Sequence, residues 1–154
     1  MGILKVIFLI TTLSVSTLAQ DFSGLKKLDG SPTAIETTHN KLLVYFWATW
    51  CSECRGHIKN MLPKLQEKNK FEIITIVMDK DLERATQYIT KESVKLKAFR
   101  DPDKKLSGPL KVFSVPVWAV FEKQKNEWKL VASQAGSDDQ QMLKALGENL
   151  GEKK

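Results

Sequence analysis

Cys51 and Cys54 are the only cysteines in this 154-residue chain, and only Ser52 and Glu53 separate them. The preceding residues, Trp47-Ala48-Thr49-Trp50, end a run of apolar side chains. The residues that follow carry helical periodicity, so the pair falls where a buried strand gives way to a helix. Side chains three apart are neighbours on a helix surface, and two thiols there can close a small disulfide ring. The exposed backbone N–H groups of a helix start favour the thiolate of the first cysteine, which makes Cys51 the nucleophile. Cys54, one turn further in, is shielded but within reach. It can attack a mixed disulfide on Cys51 intramolecularly and release the bound thiol.

Other uses of two cysteines are narrowed by what surrounds them. A second Cys-x-x-Cys is missing, which excludes a four-ligand structural zinc site within one chain. Arg55 stands where a covalent haem site needs histidine. Two cysteines are also too few for the disulfide framework of a small secreted domain, and about 150 residues can bury a core without one.

The elements that must position the pair follow from the hydrophobic pattern. Residues 42–48 and 73–78 are nearly unbroken apolar runs, the pattern of parallel strands covered on both faces. Each precedes a helical segment: residues 51–68, with Ile58, Met61, Leu62 and Leu65, and residues 81–91, with Leu82, Ala85 and Ile89. Strand, helix, strand, helix reads as a βαβ arrangement, with Asp79 and Asp81 placed to cap the second helix. Residues 117–121 and 128–132 form a hairpin around the polar stretch 122–127. Ser137 and Gln140 then make a capping box for a closing helix whose apolar stripe is Met142, Leu143, Leu146 and Leu150. Near the amino terminus, residues 22–35 hold an Asp29-Gly30 turn between two short segments, which predicts an amino-terminal hairpin.

Composition is that of an ordinary globular protein, 42% hydrophobic and 27% charged, with a formal charge of +6. The charges are spread through mixed Lys/Glu segments, a solvated surface rather than a nucleic-acid footprint. Residues 1–19 read as a secretory signal: Lys5 precedes an apolar run diluted by Thr11, Thr12, Ser14, Ser16 and Thr17, too short and soft to span a bilayer. Thr17 and Ala19 suit a cleavage site, and an uncleaved anchor is the alternative. Cleavage leaves residues 20–154 as one soluble domain of charge +5 in an oxidising compartment.

Phe46-Trp47-Ala48-Thr49-Trp50-Cys51-x-x-Cys54 resembles the active-site signature of extracytoplasmic thioredoxin-like proteins of the TlpA/ResA type. The Leu28-Asp29-Gly30 turn, the Asp101-Pro102-Asp103 turn, Val115-Pro116 before a strand, and Gly136 before the last helix extend the resemblance over residues 22 to about 150. It implies an α/β thioredoxin fold: a central mixed sheet flanked by helices, with an amino-terminal hairpin and an inserted helical segment around residues 80–110. It also implies a cis Val115–Pro116 peptide beside a redox-active Cys51–Cys54 disulfide. Cis bonds are nearly confined to X-Pro, and proline is tolerated at a strand's first position.

The resemblance implies thiol–disulfide exchange with no cofactor and no resident metal. The implied partners are a protein disulfide substrate and a membrane-embedded electron carrier that re-reduces a monomeric protein. Family members of this kind reduce apocytochrome or other envelope disulfides. Trp50 offers an apolar contact to substrate, while Val115 and Pro116 offer free backbone for an extended segment. Departures from the family fall at Glu53 and at Lys59, where many members carry proline, and at His57, where some carry glutamate. Tyr45 takes the place of the buried aspartate of thioredoxins and reads equally as core packing. Glu53 modulates the thiolate by like-charge repulsion, opposed by Arg55. His57 lies one turn beyond Cys54 on the same face and reads either as a proton shuttle for that thiol or as a half-exposed helix residue. His39, in a polar loop, reads as surface. Two other functions use the same residues: a copper chaperone in respiratory-oxidase assembly, with Cys51, Cys54 and His57 as soft ligands, and an interaction module with a purely structural disulfide.

Overall fold

The computed structural model describes residues 19–136 and 138–148. The expected signal segment therefore lies outside the described residues except for Ala19, as do Ser137 and Leu150. No helix among the described residues is long and apolar enough to cross a membrane.

The chain is organised around strand β3 (Lys41–Trp47), in which every residue after Lys41 is buried. It pairs in parallel with β4 (Glu72–Val77), from Leu42 opposite Glu72 to Trp47 opposite Val77. On its other side it pairs antiparallel with β6 (Val117–Gln124). With β1 (Ala19–Gln20), β2 (Lys26–Lys27), β5 (Lys97–Arg100) and β7 (Glu127–Ala135), the strands form one mixed sheet in the order β1-β7-β6-β3-β4-β5-β2. The continuous apolar runs in β3 and β4 follow from this central position, because side chains of both parities must enter a core.

Both parallel connections cross over by helix: α1 (Ser52–Gly56) and α2 (Leu62–Glu67) between β3 and β4, and α3 (Leu82–Lys91) between β4 and β5. Two successive right-handed crossovers in one direction put their helices on the same face. Leu43, Tyr45 and Trp47 accordingly share a buried cluster with Ile58, Leu62 and Ala85, joined by Met142, Leu143 and Leu146 of α4 (Asp139–Leu146). Among the described residues, no helix covers the opposite face. Leu42, Val44 and Phe46 pack there against Phe22, Leu25 and Leu106, which come from irregular segments. Burying each such side chain contributes roughly 1.5–3 kcal/mol.

Three expectations need correction. The amino-terminal hairpin is reduced to one bridge, Lys26 with Pro32, around the Asp29-Gly30 turn. The arm instead places β1 against β7 at one sheet edge and β2 against β5 at the other, because Phe22 and Leu25 are buried between them. The long helix after Cys51 contains a π-type turn, His57–Met61, closed by Leu62 N–H donating to the His57 carbonyl. Pro63 follows directly and cannot donate a helical hydrogen bond, so the wider turn sits where the regular ladder would fail. Finally, the cap of α4 is Asp138, whose carboxylate accepts from Gln141 N–H at 3.2 Å. The 117–132 hairpin runs longer than its apolar residues, turning at Lys125 and Asn126 with φ of 49° and 67°.

The end of α4 is tied down by charge. Glu148 is almost fully buried and accepts from Lys68 at 2.6 Å and Lys70 at 2.8 Å. The Lys68 hydrogen bond, then the Lys70 hydrogen bond, hold its carboxyl below the usual range. A depressed folded-state pKa stabilises the fold above the unfolded value of about 4.3 and loses that contribution as pH falls through the folded value. Glu148→Gln is therefore expected to be less stable than wild type at neutral pH and to converge on it in acid, as read by denaturant unfolding across that range.

Candidate functional site

The reactive end of the molecule is built at the carboxyl ends of β3 and β4. Met78 N–H donates to the Trp47 carbonyl at 2.8 Å, which extends the pairing past the last strand residues. One step further in the same register, Thr49 meets Asp79. The Asp79 carboxylate accepts from Thr49 N–H at 2.9 Å and from the Thr49 hydroxyl, and both residues are buried. Charge-assisted hydrogen bonds of this kind contribute about 1.5–3 kcal/mol each. Asp79 is thus not a helix cap; that role belongs to Asp81, which accepts from Arg84 N–H. Its work is to hold the turn that delivers Cys51, and Cys51 N–H closes that turn on the Ala48 carbonyl at 3.1 Å.

Cys51 is itself the N-cap of α1. Its Sγ accepts from Cys54 N–H at 3.2 Å, and its carbonyl accepts from Arg55 N–H. A sulfur that receives a helix-start N–H is electrostatically favoured as thiolate. Cys51 and Cys54 form a disulfide with α-carbons 5.3 Å apart. Cys51 is 9% exposed and Cys54 not at all, so of the two residues only the first meets solvent.

Trp50, immediately before Cys51, is 62% exposed. The Val115–Pro116 peptide is cis, with Pro116 buried and Val115 half-buried against both cores. Because Val117 pairs with Phe46, Pro116 lies at the same end of the sheet as Trp47 and the turn to Cys51. The Pro116 carbonyl accepts from Gly136 N–H at 2.9 Å, where the backbone takes φ +95°. Phe113, which the sequence reading passed over, is 91% exposed two residues before Val115. No sequence signal marks it, because Leu110, Val112 and Val115 around it are apolar as well.

Glu53 and Arg55 are exposed on the first turns of α1. His57 is not a free helix residue. Its Nδ1 lies 2.6 Å from the Tyr45 hydroxyl and its Nε2 lies 3.4 Å from Asp139 Oδ1. Burial, then the carboxylates of Glu53 and Asp139, push the Tyr45 phenol above its ordinary range, so it stays protonated. The phenol hydroxyl and Nδ1 share one hydrogen bond, and Nε2 faces Asp139. Both ring nitrogens of His57 thus face protein partners. Tyr45 therefore combines core packing with a polar contact. His39 is half-buried rather than plain surface, with Nε2 3.0 Å from the Asn69 carbonyl oxygen.

Among curated proteins, the chain is 29% identical over 116 residues to probable nucleoredoxin 1 of Arabidopsis thaliana, covering 71% of this chain and 20% of that protein. It thus spans about a fifth of the length of that relative. Among solved structures, the exposed lipoprotein thioredoxin Etrx1 of Streptococcus pneumoniae superimposes with a TM-score of 0.63 at 22% identity, covering 80% of this chain and 96% of that one. StoA from Bacillus subtilis gives 0.61 at 13% identity, covering 79% and 93%. A secreted Mycobacterium tuberculosis disulfide oxidoreductase homologous to E. coli DsbE gives 0.57 at 15% identity, covering 84% and 93%. These likenesses show a thioredoxin fold. The thioredoxin-like family matches residues 40–127, more than half of the chain and the whole stretch from β3 through the disulfide to the β6–β7 turn, and the protein belongs to that family.

Proposed function

We propose that this protein is a thiol–disulfide oxidoreductase that acts outside the cytoplasm and donates electrons to disulfides of specific envelope proteins, cytochrome c maturation being one such setting. The observation that carries this reading is the Cys51–Cys54 disulfide at a helix start, with one sulfur reachable and its partner buried. In the reduced protein the Cys51 thiolate attacks a substrate disulfide and expels one substrate thiol. Cys54 then attacks Cys51, closes the internal disulfide and releases the second thiol. A membrane-embedded carrier returns the two electrons. The signal-like residues 1–19 support the compartment, with the working chain starting at Gln20. Trp50, Val115 and Pro116 would hold an extended substrate segment, side chain against indole and main chain against main chain.

Three outcomes test this reading. Cys54→Ser should accumulate mixed disulfides with protein substrates, whereas Cys51→Ser should trap few, as read by non-reducing electrophoresis; the reverse pattern would overturn the role assignment. Phe113→Ser should lower kcat/KM for a protein disulfide several-fold while leaving reaction with a small aromatic disulfide unchanged, because losing an exposed aromatic contact weakens only partners large enough to reach it. The Glu53 carboxylate destabilises the nearby thiolate and hence the reduced state, which makes the couple more reducing. Glu53→Gln should then shift the measured potential to more oxidising values by on the order of tens of millivolts, and lower the Cys51 pKa. A wild-type potential as oxidising as that of a strong disulfide donor would overturn the donor direction.

A further inference from the structure

Several lysines of this surface are tied to carboxylates: Lys41 to Glu122, Lys59 to Glu92, Lys68 and Lys70 to Glu148, and Lys97 to Glu72. A cleft of about 340 Å³ between the carboxyl ends of β4 and β5 is different. Lys80, Arg100 and Lys104 line it, and none of the three reaches a carboxylate within ion-pair distance among the described residues. The Arg100 Nε–H is buried and has no acceptor among those residues, which is costly for a charged donor. Ser107, 5% exposed, lines the same cleft, and its hydroxyl has no hydrogen-bond partner among the described residues. Two carboxylates share the wall, and both are already engaged. Asp79 accepts from the Thr49 N–H and hydroxyl. Asp101 accepts from the backbone N–H groups of Lys105, Leu106 and Ser107 at 3.0, 3.0 and 2.7 Å.

The cleft stands at the reactive end of the sheet. Trp47 is opposite Val77 and Ile76 is opposite Phe99, so the next step of the register puts Arg100 level with Val77. Trp47, Val77 and Arg100 form one row across β3, β4 and β5, and the turn to Cys51 leaves from the β3 end of that row. Two strand spacings make roughly 10 Å, a distance that about three extended residues cover. Asp79 belongs to both places, as part of the cleft wall and as the anchor of the Thr49 turn.

We infer that this cleft is a subsite for carboxylate side chains of the protein substrate, so that the preferred disulfides have Glu or Asp about three residues from the reacting half-cystine. The inference rests on the thiol–disulfide exchange proposed above and names a substrate class for it. An ionised carboxylate only accepts hydrogen bonds, whereas Lys80, Arg100, Lys104 and the Ser107 hydroxyl all donate, so the two sides match in charge and in hydrogen bonding. A cationic segment would meet three like charges and two carboxylates already holding donors of their own. Lys80 and Lys104 are exposed and free to close on a docked acid, while Arg100 is half-buried at the strand end. A partly exposed subsite of this kind governs encounter and choice of substrate more than total affinity.

The test is a ratio of rates. Reduced full chain is given disulfide-linked peptides that are identical except for the residues flanking the half-cystine on either side, which are Glu, Gln or Lys. At low salt kcat/KM for the Glu peptide should exceed that for the Gln peptide about tenfold, with the Lys peptide slowest. The Glu-to-Gln ratio should fall toward one in about 1 M salt, where charges are screened within about 3 Å. Lys80→Gln combined with Lys104→Gln should cut the low-salt ratio to about twofold. Removing two charges at the far end of the sheet, by Lys95→Gln with Lys125→Gln, should leave the ratio at its wild-type value. Arg100→Gln should lower the ratio too, and the lysine pair decides the matter if that variant does not fold. Equal rates for the Glu and Gln peptides in wild type, or equal loss of the ratio in the two double variants, would overturn the subsite. The neutral small disulfide 2,2′-dithiodipyridine checks the chemistry separately. A reduced wild-type chain that opens neither this compound nor any of the peptides would overturn the exchange reading itself, so the two failures are distinguishable.

Discussion

The double burial of β3 is the constraint on which the reactive end depends. Leu42, Val44 and Phe46 are locked into one core and Leu43, Tyr45 and Trp47 into the other, so the strand cannot slip by one residue without exchanging the two sets. Its carboxyl end is therefore a fixed platform. Everything reactive is attached to that end within a few residues: the Thr49 turn, the Cys51 cap, and, through the pairing with β6, Pro116.

A fixed strand end still leaves the following turn free, and Asp79 removes that freedom. Two hydrogen bonds from Thr49 to a buried carboxylate on the neighbouring strand set where Trp50 and Cys51 emerge. The helix that begins at Cys51 then leaves that residue 9% exposed and Cys54 with no exposure. The unequal environments of two chemically identical cysteines are thus a consequence of strand register and helix start rather than of any difference in the residues themselves.

Polar groups inside this fold are concentrated where they have work. The buried face that holds the cysteines is largely apolar, and a hydroxyl placed there needs a partner. Tyr45 finds it in His57, a residue from the helix that carries the cysteines, and His57 in turn reaches Asp139 at the start of the last helix. One set of contacts thereby links the central strand, the helix that carries the cysteines and the closing helix.

Much of this was legible in the order of residues alone. The apolar runs at 42–48 and 73–78, the spacing of Cys51 and Cys54 and the hairpin after Pro116 are local patterns, and local patterns are set by strand and helix periodicity. What escaped was whatever depends on two distant segments meeting. Asp79 looked like a cap because capping is a local property, whereas its actual partner, Thr49, lies across a strand pair. The cap of α4 is a local exception: the acid after Ser137 holds that place. The amino-terminal arm read as a hairpin because turn chemistry is local, while the sheet edges that recruit its two ends exist only in the folded molecule. His57 could be placed on the face of Cys54 from helix geometry, but its partners come from a strand 12 residues earlier and a helix more than 80 residues later. Periodicity determined which residues would be buried and which two sulfurs would meet; only tertiary packing, by bringing β3, α1 and α4 together, decided what stands beside them.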